Sequence, residues 1–336
     1  MRSLLISCAL LLLLPGASQS ASDQAMPITP FHTANRSPLV QIFGLPEPSP
    51  ARIPERGSGE AGLFFDVASN YHDIDNGRET LLLDGEDYRT TLACRYGLGN
   101  RFEAGLELPF VGHGGGVFDR FIEGWHQFFG LPQGGRKEAP RNRLDYHYSK
   151  DGTERLKLNE SSFGIGDLRL TGGYQLYKGS TPDSGAVSLR ASLKLPTGNS
   201  HRLHGSGSVD TALWLDLSDD YAMPIGHLSL FGSAGGMAMT RGNVLPDQQR
   251  SVAGFGTLGI GWAPTDWIAF ILQLSGHTSF YDGSELKELS SNSLQLHSGG
   301  TLRLPGSLFM DIAVSEDIAV NTAPDVTLHL AIRKPF

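Results

Sequence analysis

The chain has 336 residues, 18% of them charged and 40% hydrophobic, with a formal net charge of −8. An acidic chain without a basic block is a poor partner for nucleic acid. Its only cysteines are Cys8 and Cys94, too few for a disulfide framework.

Met1-Arg2-Ser3 is a short basic start, Leu4 to Leu14 is apolar, and Pro15 to Ser20 is rich in small residues. This is the pattern of a secretory signal peptide, residues 1–20, with cleavage after Ser20. A membrane anchor needs about 20 apolar residues, more than this run offers. Leu5-Ile6-Ser7-Cys8 resembles a lipoprotein acylation box, but the apolar region before Cys8 is too short for one. Loss of Cys8 leaves Cys94 as the mature cysteine, and loss of Arg2 takes the net charge from −8 to −9.

Residues 21–59 form a Pro-rich N-terminal segment, with Pro27, Pro30, Pro38, Pro46, Pro48, Pro50 and Pro54 and no sustained period. It reads as an extended periplasmic segment, or as one threaded into a barrel. Phe43-Gly44-Leu45-Pro46 recurs as Phe129-Gly130-Leu131-Pro132, which is too little for a repeat architecture.

From residue 60 to 336, segments that alternate apolar and polar follow one another. Period two marks strands with one greasy and one polar face. The segments run 61–71, 88–98, 102–110, 168–176, 187–195, 209–217, 227–239, 252–262, 268–274, 294–304, 308–314 and 326–336. Leu81-Leu82-Leu83 leads into the second through an expected bulge at Asp84-Gly85. Short connections alternate with long ones near 72–79, 111–160, 197–208, 240–251, 282–291 and 315–324. Short periplasmic turns and long external loops produce this rhythm, and about 12 strands fit it with both termini periplasmic. The expected fold class is therefore all-β, a transmembrane antiparallel β-barrel with one amphipathic helix in a long external loop. A soluble β-sandwich explains neither the signal nor the loop asymmetry.

The helix is expected at about 116–130. Phe118, Phe121, Ile122, Trp125, Phe128 and Phe129 fall on one face, and Gly130-Leu131-Pro132 stops it. Its stripe either lies at the membrane interface, folds inward to constrict the pore, or packs on the rim without function. Tyr146 to Leu158 reads as a hairpin turning at Lys150-Asp151-Gly152.

The closing segment ends flush on Phe336, with Val326, Leu328, Leu330 and Ile332 on one face and Lys334 interrupting it. It resembles the terminal strand of a bacterial outer-membrane barrel. That resemblance implies a cell outer membrane location, lipid around the barrel, and delivery by the barrel-assembly machinery through the strand ending at Phe336. The runs Asp84-Gly85-Glu86-Asp87-Tyr88, Tyr96 to Phe110 and Phe129-Gly130-Leu131-Pro132 resemble a Gram-negative outer-membrane family of unknown function. Gly164-Ile165-Gly166-Asp167-Leu168 and Lys194-Leu195-Pro196-Thr197-Gly198 are similar to motifs of the wider barrels of the putative meta-pathway of phenol degradation and transporter-like type. The resemblance implies location and fold, and no established activity.

Lumen-facing candidates on the polar faces are Arg89, Arg95, Glu103, Glu107, Asp167, Arg169, Arg190, Lys194, Gln273, His277, His297, Arg303, Asp311 and His329, together with Asp210, Asp216 and Arg333. Register parity would set Arg95 opposite Glu103, His277 opposite His297 and Asp311 opposite His329. Mixed paired charges suit either a filled lumen or a narrow polar channel. The leading expectation is a channel or transporter for a small solute, hydrophobic or aromatic by the transporter-like resemblance. The alternatives are a filled structural barrel with binding loops, and a lipid-active hydrolase using Ser275, Ser279, His277 and His297. No catalytic residue is assigned, and no cofactor or metal is expected. The clusters His72-Asp73-Ile74-Asp75 and His201-Arg202-Leu203-His204 lack full ligand spacing.

Overall fold

The computed structural model describes residues 25–116, 142–180, 184–318 and 322–336. The signal segment 1–20 and the loop helix, with Phe118, Phe121, Ile122, Trp125, Phe128 and Phe129, fall outside them. The strands in chain order are β1 (Gly59–Asp75), β2 (Glu79–Gly97), β3 (Phe102–Gly114), β4 (Asp145–Lys150), β5 (Thr153–Leu158) and β6 (Ser162–Ile165). They continue with β7 (Leu168–Lys178), β8 (Ala186–Leu195), β9 (Asp210–Ala222), β10 (His227–Met239) and β11 (Val252–Ala263). The last four are β12 (Ile268–His277), β13 (Ser293–Leu304), β14 (Leu308–Asp317) and β15 (Val326–Pro335).

Twelve of these close a ring of antiparallel neighbours. From β7 to β15 each pairs with the next, β15 pairs with β1, and β1, β2, β3 and β7 complete the circuit. Closure removes every edge whose backbone groups would be stranded in hydrocarbon. The seam runs from Glu60 opposite Pro335 to Ser69 opposite Val326. At its end the Gly59 and Phe336 backbones exchange hydrogen bonds of 2.8 and 2.9 Å.

No bulge occurs at Asp84-Gly85, contrary to expectation. β2 runs against β1 in one register from Asp75 opposite Thr80 to Gly59 opposite Tyr96. What changes there is the other neighbour, because β2 pairs with β3 up to Glu86 and with β4 from Asp84 outward. A Cβ on Gly85 would lie 2.8 Å from Leu144 Cδ1 and 3.1 Å from the Gly114 carbonyl oxygen. The position has room for hydrogen only, which is why the alternation breaks. β4 and β5 form the expected hairpin, turning through Asp151 (φ 49°) and Gly152 (φ 73°) in the left-handed region that two-residue hairpin turns demand. The β6–β7 side of the wall is interrupted at Gly166-Asp167, where the Gly166 N–H donates to the Pro109 carbonyl at 2.8 Å.

Outward positions are apolar. On β9, Leu213, Leu215 and Leu217 are 56%, 42% and 52% exposed, while the intervening Ala212, Trp214 and Asp216 are buried. Tyr96, Phe102, Tyr177, Tyr221, Trp262, Trp267 and Phe336 are exposed on or beside the short turns. A greasy band with an aromatic girdle meets lipid on this outer surface. Among the described residues, no helix is long and apolar enough to cross a membrane.

Candidate functional site

The inward face of the barrel does not enclose water alone. Residues 25–58 run up the lumen from the short-turn end, reverse at 37–43 beneath the external loops, and descend again to β1. Of the two placements left by the sequence, the segment takes the lumen.

The ascending limb starts where Arg303 Nη2 donates to the Ala25 carbonyl at 2.8 Å and Met26 packs on Ala263, Ala269 and Phe309. Higher up, the Phe31 N–H donates to Gln273 Oε1 at 2.9 Å, and its ring sits among Phe231, Ile271 and Ala313. Thr33 Oγ1 donates to Asp66 Oδ1 at 3.0 Å. The Asn35 amide reaches His277 Nε2 at 2.9 Å and donates to the Thr322 carbonyl at 3.1 Å. Arg36, between the limbs, donates to Asp66 of the wall at 2.8 Å and to Glu47 of the descending limb at 3.0 Å.

At the reversal, Ser37 accepts from the Val40 and Gln41 N–H groups, each at 2.9 Å. The tip is held from outside. Tyr281 Oη donates to the Leu39 carbonyl at 3.0 Å, and the Phe43 ring stacks on Phe280 with centroids 4.8 Å apart at 3°. Leu39, Val40, Ile42, Phe43 and Leu45 share one apolar cluster with Trp214, Met237, Met239, Leu245 and Leu286. Burial pushes the Tyr281 phenol well above its ordinary value.

The descending limb carries Pro46, Pro48 and Pro50. Proline has no N–H and cannot join a ladder, so this stretch stays extended with its carbonyls unpaired by sheet. The barrel wall supplies the donors. Arg169 Nη1 donates to the Leu45 carbonyl at 2.7 Å, Arg190 Nη2 to Pro50 at 2.7 Å, and Gln175 Nε2 to Ala51 at 3.0 Å. The His32 ring crosses between the limbs to the Pro48 carbonyl at 3.2 Å. Burial, with Arg169 and then Arg36 nearby, pushes its imidazole down to about 3.

The wall's cations also meet wall acids. Arg169 pairs with Glu107 and with Glu47 of the insert. Arg190 bridges Glu103 and Asp216, each at 2.5 Å. Lys194 contacts Asp167 at 2.5 Å and Asp210 at 3.2 Å. Arg333 pairs with Asp311 at 2.7 Å. Arg89 lies 4.0 Å from Glu47, and His329 is 2.7 Å from Asp66. Thus Arg89, Glu103, Glu107, Asp167, Arg169, Arg190, Lys194, Gln273, His277, Asp311 and His329 turn inward and are buried, and Arg95 and Arg303 are partly so.

Two of the expected registers slip by two residues, and that of His277 with His297 slips by four. Arg95 faces Gly105, and Glu103 faces Gly97, although the two side chains still approach to 3.7 Å. His277 faces Ser293, and His297 faces Gln273 and bonds Ser315 Oγ at 2.5 Å. Asp311 faces Ala331, so His329 takes Asp66 on the other side. The proposed Ser/His set does not assemble. Ser275 Oγ pairs with Thr257 at 3.2 Å, and Ser279 Oγ donates to the Tyr281 carbonyl at 2.6 Å.

Three site residues escape the sequence reading. Asp66 lies on the inward parity of β1, between Phe65 and Val67, so strict alternation would have found it. Arg36 and Glu47 are isolated charges in an aperiodic stretch and carry no pattern. Among the described residues, the one group with metal-ligand proximity is His32, Glu47 and Glu107, whose ligand atoms lie within 4.8 Å of one another. Arg169 sits on both carboxylates, where a cation would have to be, so the set does not suit a metal. One cleft remains in the lower half of the lumen. It is lined by Glu60, Arg95, Glu103, Arg190, Arg333 and residues 46–50.

A family model described as a protein of unknown function (DUF3187) matches residues 6–336. The chain belongs to the DUF3187 family. Among curated proteins, no sequence matches it. The DUF3187 barrel is similar to the COG4313 outer membrane channel from Pseudomonas putida F1, at a TM-score of 0.55 and 13% identity over 86% of this chain and 99% of that one. It also aligns with the Ralstonia pickettii toluene transporter TbuX, at a TM-score of 0.35 and 11% identity over 97% of this chain and 100% of that one. A third match is the CymD monoaromatic hydrocarbon channel, at a TM-score of 0.36 and 12% identity over 92% and 94% of the two chains. The architecture is that of an outer-membrane β-barrel.

Proposed function

We propose that this DUF3187 protein is an outer-membrane channel for a small solute, hydrophobic or aromatic in class, closed at rest by its own N-terminal insert. One observation carries the reading. Residues 25–55 of the insert enter and leave through the same mouth of the barrel and are held within it by side-chain contacts; backbone pairing to the wall begins only at Arg56, beside Gly97. They can therefore withdraw toward the periplasm without unthreading and without breaking a wall hydrogen bond. A barrel filled only for rigidity needs no separable filling, since inward side chains suffice.

The solute class rests on the transporter-like motifs and on the apolar cluster under the external loops. With the tip gone, Trp214, Met237, Phe280 and Tyr281 would line a concave, aromatic-rich entrance of the kind that takes apolar ligands. Likeness to a structure described as an outer membrane channel supports the same reading at the level of fold. Export by removal of residues 1–20 and insertion through the assembly machinery at Phe336 belong to this proposal.

The test is planar-bilayer conductance of the full chain against a variant lacking residues 27–54. The truncated barrel should show large steady steps, and the full chain small or rare ones. Steps should be accompanied by uptake of phenol into proteoliposomes. A folded but silent truncated barrel would identify a filled structural barrel, and silence with lipid hydrolysis would favour the hydrolase.

A further inference from the structure

The inward charges are not spread evenly around the ring. Every strand from β14 through β15, β1, β2, β3, β7 and β8 to β9 turns at least one acid or base inward, starting with Asp311 and ending with Asp216. The strands between, β10 to β13, turn inward side chains such as Phe231, Thr257, Ile271, Gln273 and Ser275. Among their described residues the one inward Asp, Glu, Lys or Arg is Arg303, at the short-turn end. The lumen is thus divided lengthwise into a charged arc and an uncharged arc that faces it.

The ascending limb lies on the uncharged arc. Ile28 sits against β11, where a Cβ on Gly261 would come within 2.2 Å of its Cγ2, and Phe31 packs on Phe231 and Ile271. The descending limb lies on the charged arc, yet what three cations there take from it is neutral. Lys194 Nζ donates to the Ile42 carbonyl at 3.3 Å, as Arg169 does to Leu45 and Arg190 to Pro50. These cations have their charge met by the wall itself. Arg190 lies between Glu103 and Asp216, Lys194 between Asp167 and Asp210, and Arg169 beside Glu107. Withdrawal of the insert removes Arg36 and Glu47 together, which uncovers one wall charge of each sign, Asp66 and Arg89. The balance therefore holds in the open lumen. What remains on β7 and β8 is a column of N–H donors without surplus positive charge. A carboxylate would gain the hydrogen bonds but meet the wall acids, and a hydrocarbon would leave the donors unpaired. A neutral carbonyl avoids both costs.

We propose that the solute is a neutral aromatic bearing a carbonyl acceptor, which passes with its ring toward β10 to β13 and its oxygen toward Lys194, Arg169 and Arg190. Such a preference exists only in a barrel that opens, so it rests on the channel reading.

The experiment is single-channel recording of the full chain during its open events, and of the barrel lacking residues 27–54. Three solutes of nearly one shape are added in turn: benzamide, benzoate and toluene. Benzamide should block the open current at a concentration about tenfold or more below the other two, the factor that one hydrogen bond to a charged group implies. In a salt gradient the reversal potential should show no preference for anions. Asp216→Asn leaves Arg190 with Glu103 alone. It should move the reversal potential toward anions and bring the benzoate block closer to that of benzamide. Benzoate blocking best in the unaltered barrel, or anion selectivity there, would make the column an anion track and overturn the proposal. Equal block by toluene and benzamide would show that the donors play no part and overturn it too. Either result comes from a conducting barrel and leaves the channel reading standing. Silence of both the full chain and the folded truncated barrel overturns the channel reading, and the solute class with it. The comparison of the three solutes needs no substitution, so it decides the matter even where Asp216→Asn fails to fold.

Discussion

Arg36 is the residue on which the insert's hold can be measured most directly. Its guanidinium joins Glu47 on its own segment to Asp66 on the wall, and all three side chains are 4% exposed or less. Removing one member of a buried ion pair costs about 3–5 kcal/mol, because the partner charge is left without compensation in a poorly solvated place. Here the loss is cushioned. Asp66 keeps His329 at 2.7 Å and Thr33 at 3.0 Å, and Glu47 keeps Arg169. The lower end, about 3 kcal/mol, is therefore expected for Arg36→Met. At about 1.4 kcal/mol per decade, that shifts the docked-to-withdrawn ratio roughly a hundredfold. The assay is single-channel recording of the full-length variant, read as open probability. Heat-modifiable gel migration checks that the barrel itself is intact, since Arg36 is no part of the wall. An intact Arg36→Met barrel with open probability within about threefold of wild type would refute the idea that this pair holds the insert.

Acid should loosen the same insert. Docked, the His32 imidazole titrates at about 3 against an ordinary 6.5, so the withdrawn state binds the proton first. Docking is at full strength above pH 6.5 and weakens by about 1.4 kcal/mol per unit as pH falls toward 3. Open probability should climb between pH 6 and 4, and His32→Phe should flatten that profile; an identical slope in the variant counts against the assignment. At the seam, a side chain on Gly59 would meet the Arg95 carbonyl at 2.5 Å and the Phe336 ring at 2.6 Å. Gly59→Val, like Phe336→Ala, should reduce the heat-modifiable folded fraction, and unchanged migration in both would show that closure does not depend on this contact. At the external rim, Arg78 pairs with Asp151 and Glu285 but is 61% exposed. Arg78→Ala should leave the urea midpoint essentially unchanged, and a clear loss would mean that the rim network contributes beyond ordinary surface pairs.

How far the sequence could be read depended on whether a residue lay in a periodic segment. Leu213, Leu215 and Leu217 alternate with Ala212, Trp214 and Asp216, and a membrane wall permits only one way to face them. The same parity turned Arg169, Arg190 and Lys194 inward. It could not choose among registers two residues apart, since each keeps the faces right. His277 and His297 therefore looked like partners, whereas loop length and packing at the rim set them four residues out of step. The break at Asp84-Gly85 was visible as a break, but its meaning, a change of neighbouring strand, depended on where β4 lies.

The amino-acid order by itself determined that the chain would close a twelve-strand wall with grease outside and charge inside, because hydrocarbon leaves no alternative to paired strands. It also placed the prolines that keep residues 46–50 out of any sheet. Only the tertiary structure decided that this aperiodic segment lies within the lumen. Its anchors, Arg36, Glu47 and the Leu45 and Pro50 carbonyls, are matched to Asp66, Arg169 and Arg190 across long stretches of chain. Such complementarity is a property of folded distances and leaves no trace in local spacing.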